Sequence, residues 1–149
     1  MDTSLLNLKL IQERLSHIRA SANRLKRFRA LSREQFLADP DNYAIAEHHL
    51  RRSLEAILDI GRHIIAKKGL GKPGDYRGIL LSLGQGGIIP FDFALKIQGM
   101  AGYRNRLVHD YAGVSATEIY DLLLHFLDDL TEFTQHILHL VQEELGKKK

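Results

Sequence analysis

The sequence predicts an all-α fold, an up-and-down bundle of four or five helices, and three observations carry that prediction. Apolar residues recur at three- and four-residue steps through most of the chain, which is the period of a helix face. Helix-start signals precede those runs at Ser32, Asp39-Pro40, Asp75 and Ser115. No segment has the short alternating runs and turns of a sheet.

In chain order, Leu5, Leu8, Ile11, Leu15, Ile18, Ala22, Leu25 and Phe28 predict a first amphipathic helix from about Ser4 to Phe28. Its arginines and lysine (Arg14, Arg19, Arg24, Lys26, Arg27, Arg29) read as a solvated face. Ser32 to Gln35 has capping-box spacing and starts a short turn carrying Phe36 and Leu37. Asp39 caps and Pro40 opens a second long helix, to about Lys68, with Ala46, Leu50, Leu54, Ile57, Ile60 and Ile64 inward. Gly61 inside it marks a close approach of another helix or a slight bend. Gly69 to Gly74 is a glycine-rich loop without the order of a P-loop, so nucleotide binding by that route is rejected and no cofactor is implied. Asp75 caps a third helix to about Leu83, and Pro90 starts a fourth that runs unbroken to about Tyr111. Gly113 breaks the chain, and Ser115 to Glu118 is a capping box for a fifth helix ending near Glu144.

At 149 residues the chain has the length of one domain and can bury a core without metals or disulfides. A single domain over 1–149 is expected, with 145–149, which includes Lys147-Lys148-Lys149, as a flexible tail. Cysteine is absent, which removes thiolate chemistry and fits a reducing compartment. No stretch is long and uncharged enough to cross a bilayer, and Met1 to Ser4 does not begin a secretory leader, so a cytoplasmic protein is expected. A net charge of +3 with eight histidines permits contact with RNA or an acidic partner. Apolar positions leave little polar surface on the second and fourth helices, which points to a homodimer using those faces.

The richest stretch is Gly102 to Tyr111, which puts Arg104, Asn105, Arg106, His109, Asp110 and two tyrosines behind a core-facing run. On a helical wheel Phe93, Ile97, Met100, Ala101, Leu107 and Val108 share a face, with Arg104 and Tyr111 in its middle and Asn105 with His109 along its flank. An arginine on an apolar stripe is costly unless it is paired or faces a polar cleft. His109 is the candidate general acid or base, Arg104 a phosphate clamp, and Asn105 a group to orient the imidazole or a substrate hydroxyl. Arg104 and His109 stand about 140° apart around an ideal helix and about 7.5 Å along it, so a phosphate bridges them only in an edge groove or with a second subunit closing the site. Adjacent His48 and His49 point apart, and no HExxH or cysteine pair exists, so no metal site is predicted. Metal-independent RNA cleavage, by attack of the ribose 2′-hydroxyl on its own phosphate, is the chemistry these groups allow.

The order Arg104-x-x-x-x-His109-x-Tyr111, with Asn105 directly after the arginine, resembles the HEPN superfamily and most closely the HepT toxins, the DUF86 group. The resemblance extends to Arg52-Ser53-Leu54-Glu55-Ala56, Gly87-Ile88-Ile89-Pro90 and Met100 through His109. It implies a HEPN-like helical fold, a homodimer, and an RNase site lined by Arg104, Asn105 and His109 from two subunits. It further implies a toxin of a two-gene system whose antitoxin, the minimal nucleotidyltransferase MntA, transfers AMP from ATP to Tyr111. The alternative is a non-catalytic helical subunit that binds substrate for, or regulates, a nucleotidyltransferase. Retention of both Arg104 and His109 separates the two.

Overall fold

The structure, a computed structural model, describes residues 6–109 and 114–147, and it describes Val108 and His109 by their helical backbone alone. Leu5, Asp110, Tyr111, Gly113 and Lys148-Lys149 lie outside the described residues. The described chain forms α1 (Leu8–Arg29), α2 (Arg33–Ala38), α3 (Pro40–Lys68), α4 (Tyr76–Gln85), α5 (Phe91–Ile97), α6 (Met100–His109) and α7 (Ala116–Lys147), and no strand.

Helix starts follow the local chemistry that marks them. Ser32 Oγ accepts from the Gln35 N–H at 3.1 Å while Gln35 Oε1 accepts from the Ser32 N–H at 2.9 Å, so both halves of the capping box close. Asp39 accepts from the Asp41 N–H at 3.0 Å, with Pro40 as the first residue of α3. Asp75 accepts from the Gly78 N–H at 2.7 Å, and Ser115 from the Glu118 N–H at 3.2 Å. The first helix begins at Leu8 rather than near Ser4, because Asn7 serves as its cap. Asn7 Oδ1 accepts from the Leu10 N–H at 3.0 Å, and the Asn7 N–H donates to His63 Nε2 at 2.8 Å. At α3's other end Gly69, at φ 65°, takes the left-handed conformation that turns the chain so that the Leu70 N–H reaches the Ile65 carbonyl at 3.0 Å. The last helix continues to Lys147, past the expected end at Glu144.

The three long helices, α1, α3 and α7, pack on one another and enclose the core. Ile11, Leu15, Ile18 and Leu25 of α1 meet Leu50, Leu54, Ile57 and Ile64 of α3 and Leu123, Leu130, Phe133 and Ile137 of α7, all at most 2% exposed. Such burial contributes roughly 1.5–3 kcal/mol per large aliphatic side chain before chain entropy is subtracted. Short α2 is held by Phe36, whose ring meets Phe28 edge-on at 5.5 Å and Tyr120 at 5.2 Å. Tyr120 satisfies its hydroxyl by donating to the Leu31 carbonyl at 2.6 Å.

The expected unbroken fourth helix is two helices. Gln98 and Gly99 form a turn between α5 and α6, and the N–H groups of Ala101 and Gly102 bond three residues back, to the carbonyls of Gln98 at 3.3 Å and Gly99 at 3.1 Å. The apolar residues stay buried on both sides of the break, Ile97 at 0% and Met100 at 2%. The turn frees α6 to lie on α3 and α4 while α5 packs on α4.

Gly61 is a close-approach residue: a Cβ there would stand 2.6 Å from Ile79 Cγ2 of α4. At Gly84 the constraint is harder, since a Cβ would stand 2.6 Å from Ala94 Cβ and 3.3 Å from Phe91 Cα, neither of which can rotate away. Gly84→Ala therefore forces α4 and α5 apart, and the overpacking outweighs the helix propensity gained. A net loss of about 1–2 kcal/mol, read as a lower urea midpoint with unchanged slope, is expected.

A buried ion pair joins the ends of α3 and α7. Lys68 Nζ donates to Glu144 Oε1 at 2.8 Å, and Glu144 is 6% exposed. The hydrogen bond from Lys68 holds the Glu144 carboxyl below its usual range, against the opposing effect of burial. Stability from this carboxylate is thus fully present above the ordinary value of 4.5 and is lost as pH falls through the depressed one. Urea midpoints measured from pH 6 to pH 3 should fall more steeply for the unsubstituted protein than for Glu144→Gln.

Candidate functional site

Arg104 sits on α6 at the point where α3 and α4 converge on it. Its Nε donates to Glu55 Oε1 of α3, 49 residues earlier, in a short charged hydrogen bond. Its guanidinium carbon lies 4.5 Å from the centroid of the Tyr76 ring at the start of α4, within cation–π range. The side chain is 14% exposed, and its charge is compensated by a carboxylate and an aromatic face. In the sequence Glu55 stands out only within the string Arg52-Ser53-Leu54-Glu55-Ala56, with no role of its own. Its one local signal was its place, three residues after Arg52, among the buried positions Ser53, Leu54 and Ala56.

Asn105 is exposed, and its Oδ1 lies 3.4 Å from Arg104 Nη1, a long contact. With Arg62, Pro73, Gly74, Asp75, Tyr76 and Ile79 it lines a groove of about 380 Å³. Arg106 turns the other way, toward α7. Its Nη2 donates to Glu118 Oε1 at 2.8 Å and its Nη1 to Glu118 Oε2, a two-pronged fork. The Arg106 guanidinium also lies 5.8 Å from the Tyr103 ring, which meets Phe126 edge-on at 5.6 Å. Glu118, expected as a capping-box residue, thus spends its carboxylate on α6.

Arg104 and Asn105 are brought together beside a groove, and α6 continues to His109. The His109 side chain and Tyr111 lie outside what is described, so the expected Arg104–Tyr111 alignment and the Asn105–His109 edge receive no geometry here. His48 and His49, expected to point apart, instead pack edge-on with ring centroids 4.9 Å apart, and His49 Nδ1 lies 3.0 Å from Ser21 Oγ.

Fixing a guanidinium at Nε by a carboxylate from another helix immobilises the whole side chain. The Arg104 Nε–H should therefore give a resolved, slowly exchanging NMR cross-peak, and Glu55→Gln should weaken its protection by at least about tenfold, the loss of roughly 1.5–3 kcal/mol of charged hydrogen bond.

Comparison with known proteins gives these residues a family. A family model described as ribonuclease HepT-like matches residues 18–137. The tRNA nuclease HepT of Aphanizomenon flos-aquae (strain 2012/KM1/D3) is 30% identical over 111 residues, 74% of this chain and 76% of that protein. The tri-AMPylated HEPN toxin of Shewanella oneidensis, solved in complex with its MNT antitoxin, superposes with a TM-score of 0.77 at 26% identity, over 87% of this chain and 97% of that one. The cytosolic protein YutE of Bacillus subtilis, of unknown function, shares the fold with a TM-score of 0.82 at 21% identity, over 98% of this chain and 96% of that one. With the helical fold, the motif on α6 and a matched span that includes both, the chain belongs to the HepT-like ribonuclease family.

Proposed function

We propose that this protein is the toxin of a HepT/MntA-type toxin–antitoxin pair, a metal-independent ribonuclease with Arg104, Asn105 and His109 as catalytic residues. The observation that supports it best is the fixed guanidinium of Arg104. Nε is committed to Glu55 and the plane is stacked on Tyr76, so the Nη groups are held for a phosphate with little entropy left to lose. Glu55 is a positioning residue in this scheme, acting through Arg104.

In the reaction the 2′-hydroxyl oxygen attacks the adjacent phosphorus and the bond from phosphorus to the 5′-oxygen breaks. The products are a 2′,3′-cyclic phosphate and a free 5′-hydroxyl. Imidazole at His109 moves the proton, Arg104 neutralises charge developing on the phosphoryl oxygens, and Asn105 orients the hydroxyl. Kinship to a tRNA nuclease makes tRNA the substrate class to try first. The working unit is a homodimer whose two motifs face one cleft, and it acts in the cytoplasm; among the described residues no helix is long and apolar enough to cross a membrane.

Silencing rests on Tyr111, two residues beyond His109. An MntA-type antitoxin transfers AMP from ATP to the phenolic oxygen and releases pyrophosphate. The added phosphate and adenosine then fill the cleft and repel RNA.

Purified His109→Ala should cleave tRNA about 10²–10⁴-fold more slowly than the unsubstituted protein, and undiminished cleavage would falsify the catalytic assignment. Co-expression with the antitoxin should add one or more AMP units to the intact mass and abolish cleavage. Tyr111→Phe should block both effects, and AMP addition that survives this substitution moves the modification elsewhere.

A further inference from the structure

The pairing that fixes Arg104 also weakens it as an anion site, because the Glu55 carboxylate cancels part of its charge. A polyanionic strand then needs more positive charge nearby, and the structure supplies it next to Glu55. A groove of about 340 Å³ runs between α1 and α3, lined by His17, His48, Arg51, Arg52 and Glu55 and by the Arg14–Asp59 pair, with Ala56 its one apolar residue. Arg14 Nε donates to Asp59 at 3.0 Å, bracing the two helices across the floor. Glu55 thus lines the groove and also holds Arg104, which ties the groove to the motif through one residue.

Its lining sets Arg14, Arg51 and Arg52 against Glu55 and Asp59, and with Arg14 paired to Asp59 and Glu55 to Arg104 the positive charge left to a ligand is that of Arg51 and Arg52. Arg52 is exposed, and among the described residues no carboxylate is paired with it; Arg51 stands 3.7 Å from Glu47, a loose contact. Behind them the His49 imidazole is pushed below the usual histidine range, by burial first and then by the charges of His48, Arg24, Arg52 and Arg27. Arg51 and Arg52 lie four and three residues before Glu55, about one helical turn or 4.5–6 Å along α3.

Resting on the ribonuclease reading above, we propose that the α1–α3 groove is a phosphate track that holds the RNA strand flanking the reacting phosphate, with Arg51 and Arg52 as its main contacts. RNA fits it better than a protein partner does. A protein interface draws its energy from buried aromatic and aliphatic anchors, and this lining offers a single alanine. A nucleic-acid backbone asks only for positioned cations.

The test uses full-length protein with His109→Ala, so that bound tRNA stays intact, and measures fluorescence anisotropy of labelled tRNA across a salt series. Adding Arg51→Ala and Arg52→Ala should weaken binding at least about tenfold at 100 mM salt and reduce the slope of log affinity against log salt by roughly 1–2, two phosphates' worth. Arg51→Lys with Arg52→Lys keeps the charge and should keep the slope, which separates lost phosphate contacts from lost folding. With His109 intact, the double alanine variant should show KM raised about as much as affinity falls, with kcat within about twofold. Unchanged affinity and slope overturn the track. So does a double alanine variant that keeps tRNA affinity but loses its antitoxin, which assigns the groove to an acidic protein. If His109→Ala still cleaves, the ribonuclease site fails, yet the binding arms still report on the groove.

Discussion

The ion pair between Arg104 and Glu55, capped by the Tyr76 ring, is the constraint around which the functional end of this bundle is arranged. An unpaired guanidinium at 14% exposure would cost several kcal/mol, so α6 can lie in its present seat only if α3 brings a carboxylate to it. Three helices must agree for this to happen: α3 supplies Glu55, α4 supplies Tyr76 and α6 supplies Arg104. Core packing creates the agreement. Gly61 lets α4 approach α3 closely through Ile79, which sets where Tyr76, three residues earlier, can stand.

The turn at Gln98-Gly99 and the fork between Arg106 and Glu118 complete the arrangement. Without the turn, α6 would be a rigid extension of α5, and its direction would be set by packing against α4. With it, α6 is oriented by its own charged anchors, Arg104 to α3 and Arg106 to α7. Opposed anchors of this kind fix rotation about the helix axis better than apolar contacts do, since a two-pronged arginine–carboxylate pair has a defined plane. A motif whose chemistry depends on which face of α6 meets the substrate benefits directly.

How much of this was legible in the sequence depended on distance along the chain. The cap at Ser32 with Gln35, the caps at Asp39 and Asp75, and the inward stripe of α1 are local patterns, and each formed where residues two to four apart required it. Gly61 was legible as a close approach, though the residue approaching it was not. The wheel flagged Arg104 as a residue in need of compensation but could not name Glu55, because a partner 49 residues away is chosen by tertiary packing. The helix break was missed since Phe93, Ile97, Met100 and Ala101 keep helical spacing across it, and burial on both sides conceals the turn from periodicity. Glu118 was misread for a related reason: Glu118 fits a capping box locally, and Arg106 makes the stronger charged contact with it.

The central claim is that Glu55 serves catalysis by holding Arg104, and a double-mutant cycle on tRNA cleavage tests it most directly. Glu55→Gln, Arg104→Lys and the combined variant are compared by kcat under saturating substrate. If Glu55 acts through Arg104, Glu55→Gln alone should slow kcat by about 10- to 100-fold and should add less than about twofold to the Arg104→Lys loss. Losses that multiply in the combined variant would mean that the two residues act independently and would contradict the account.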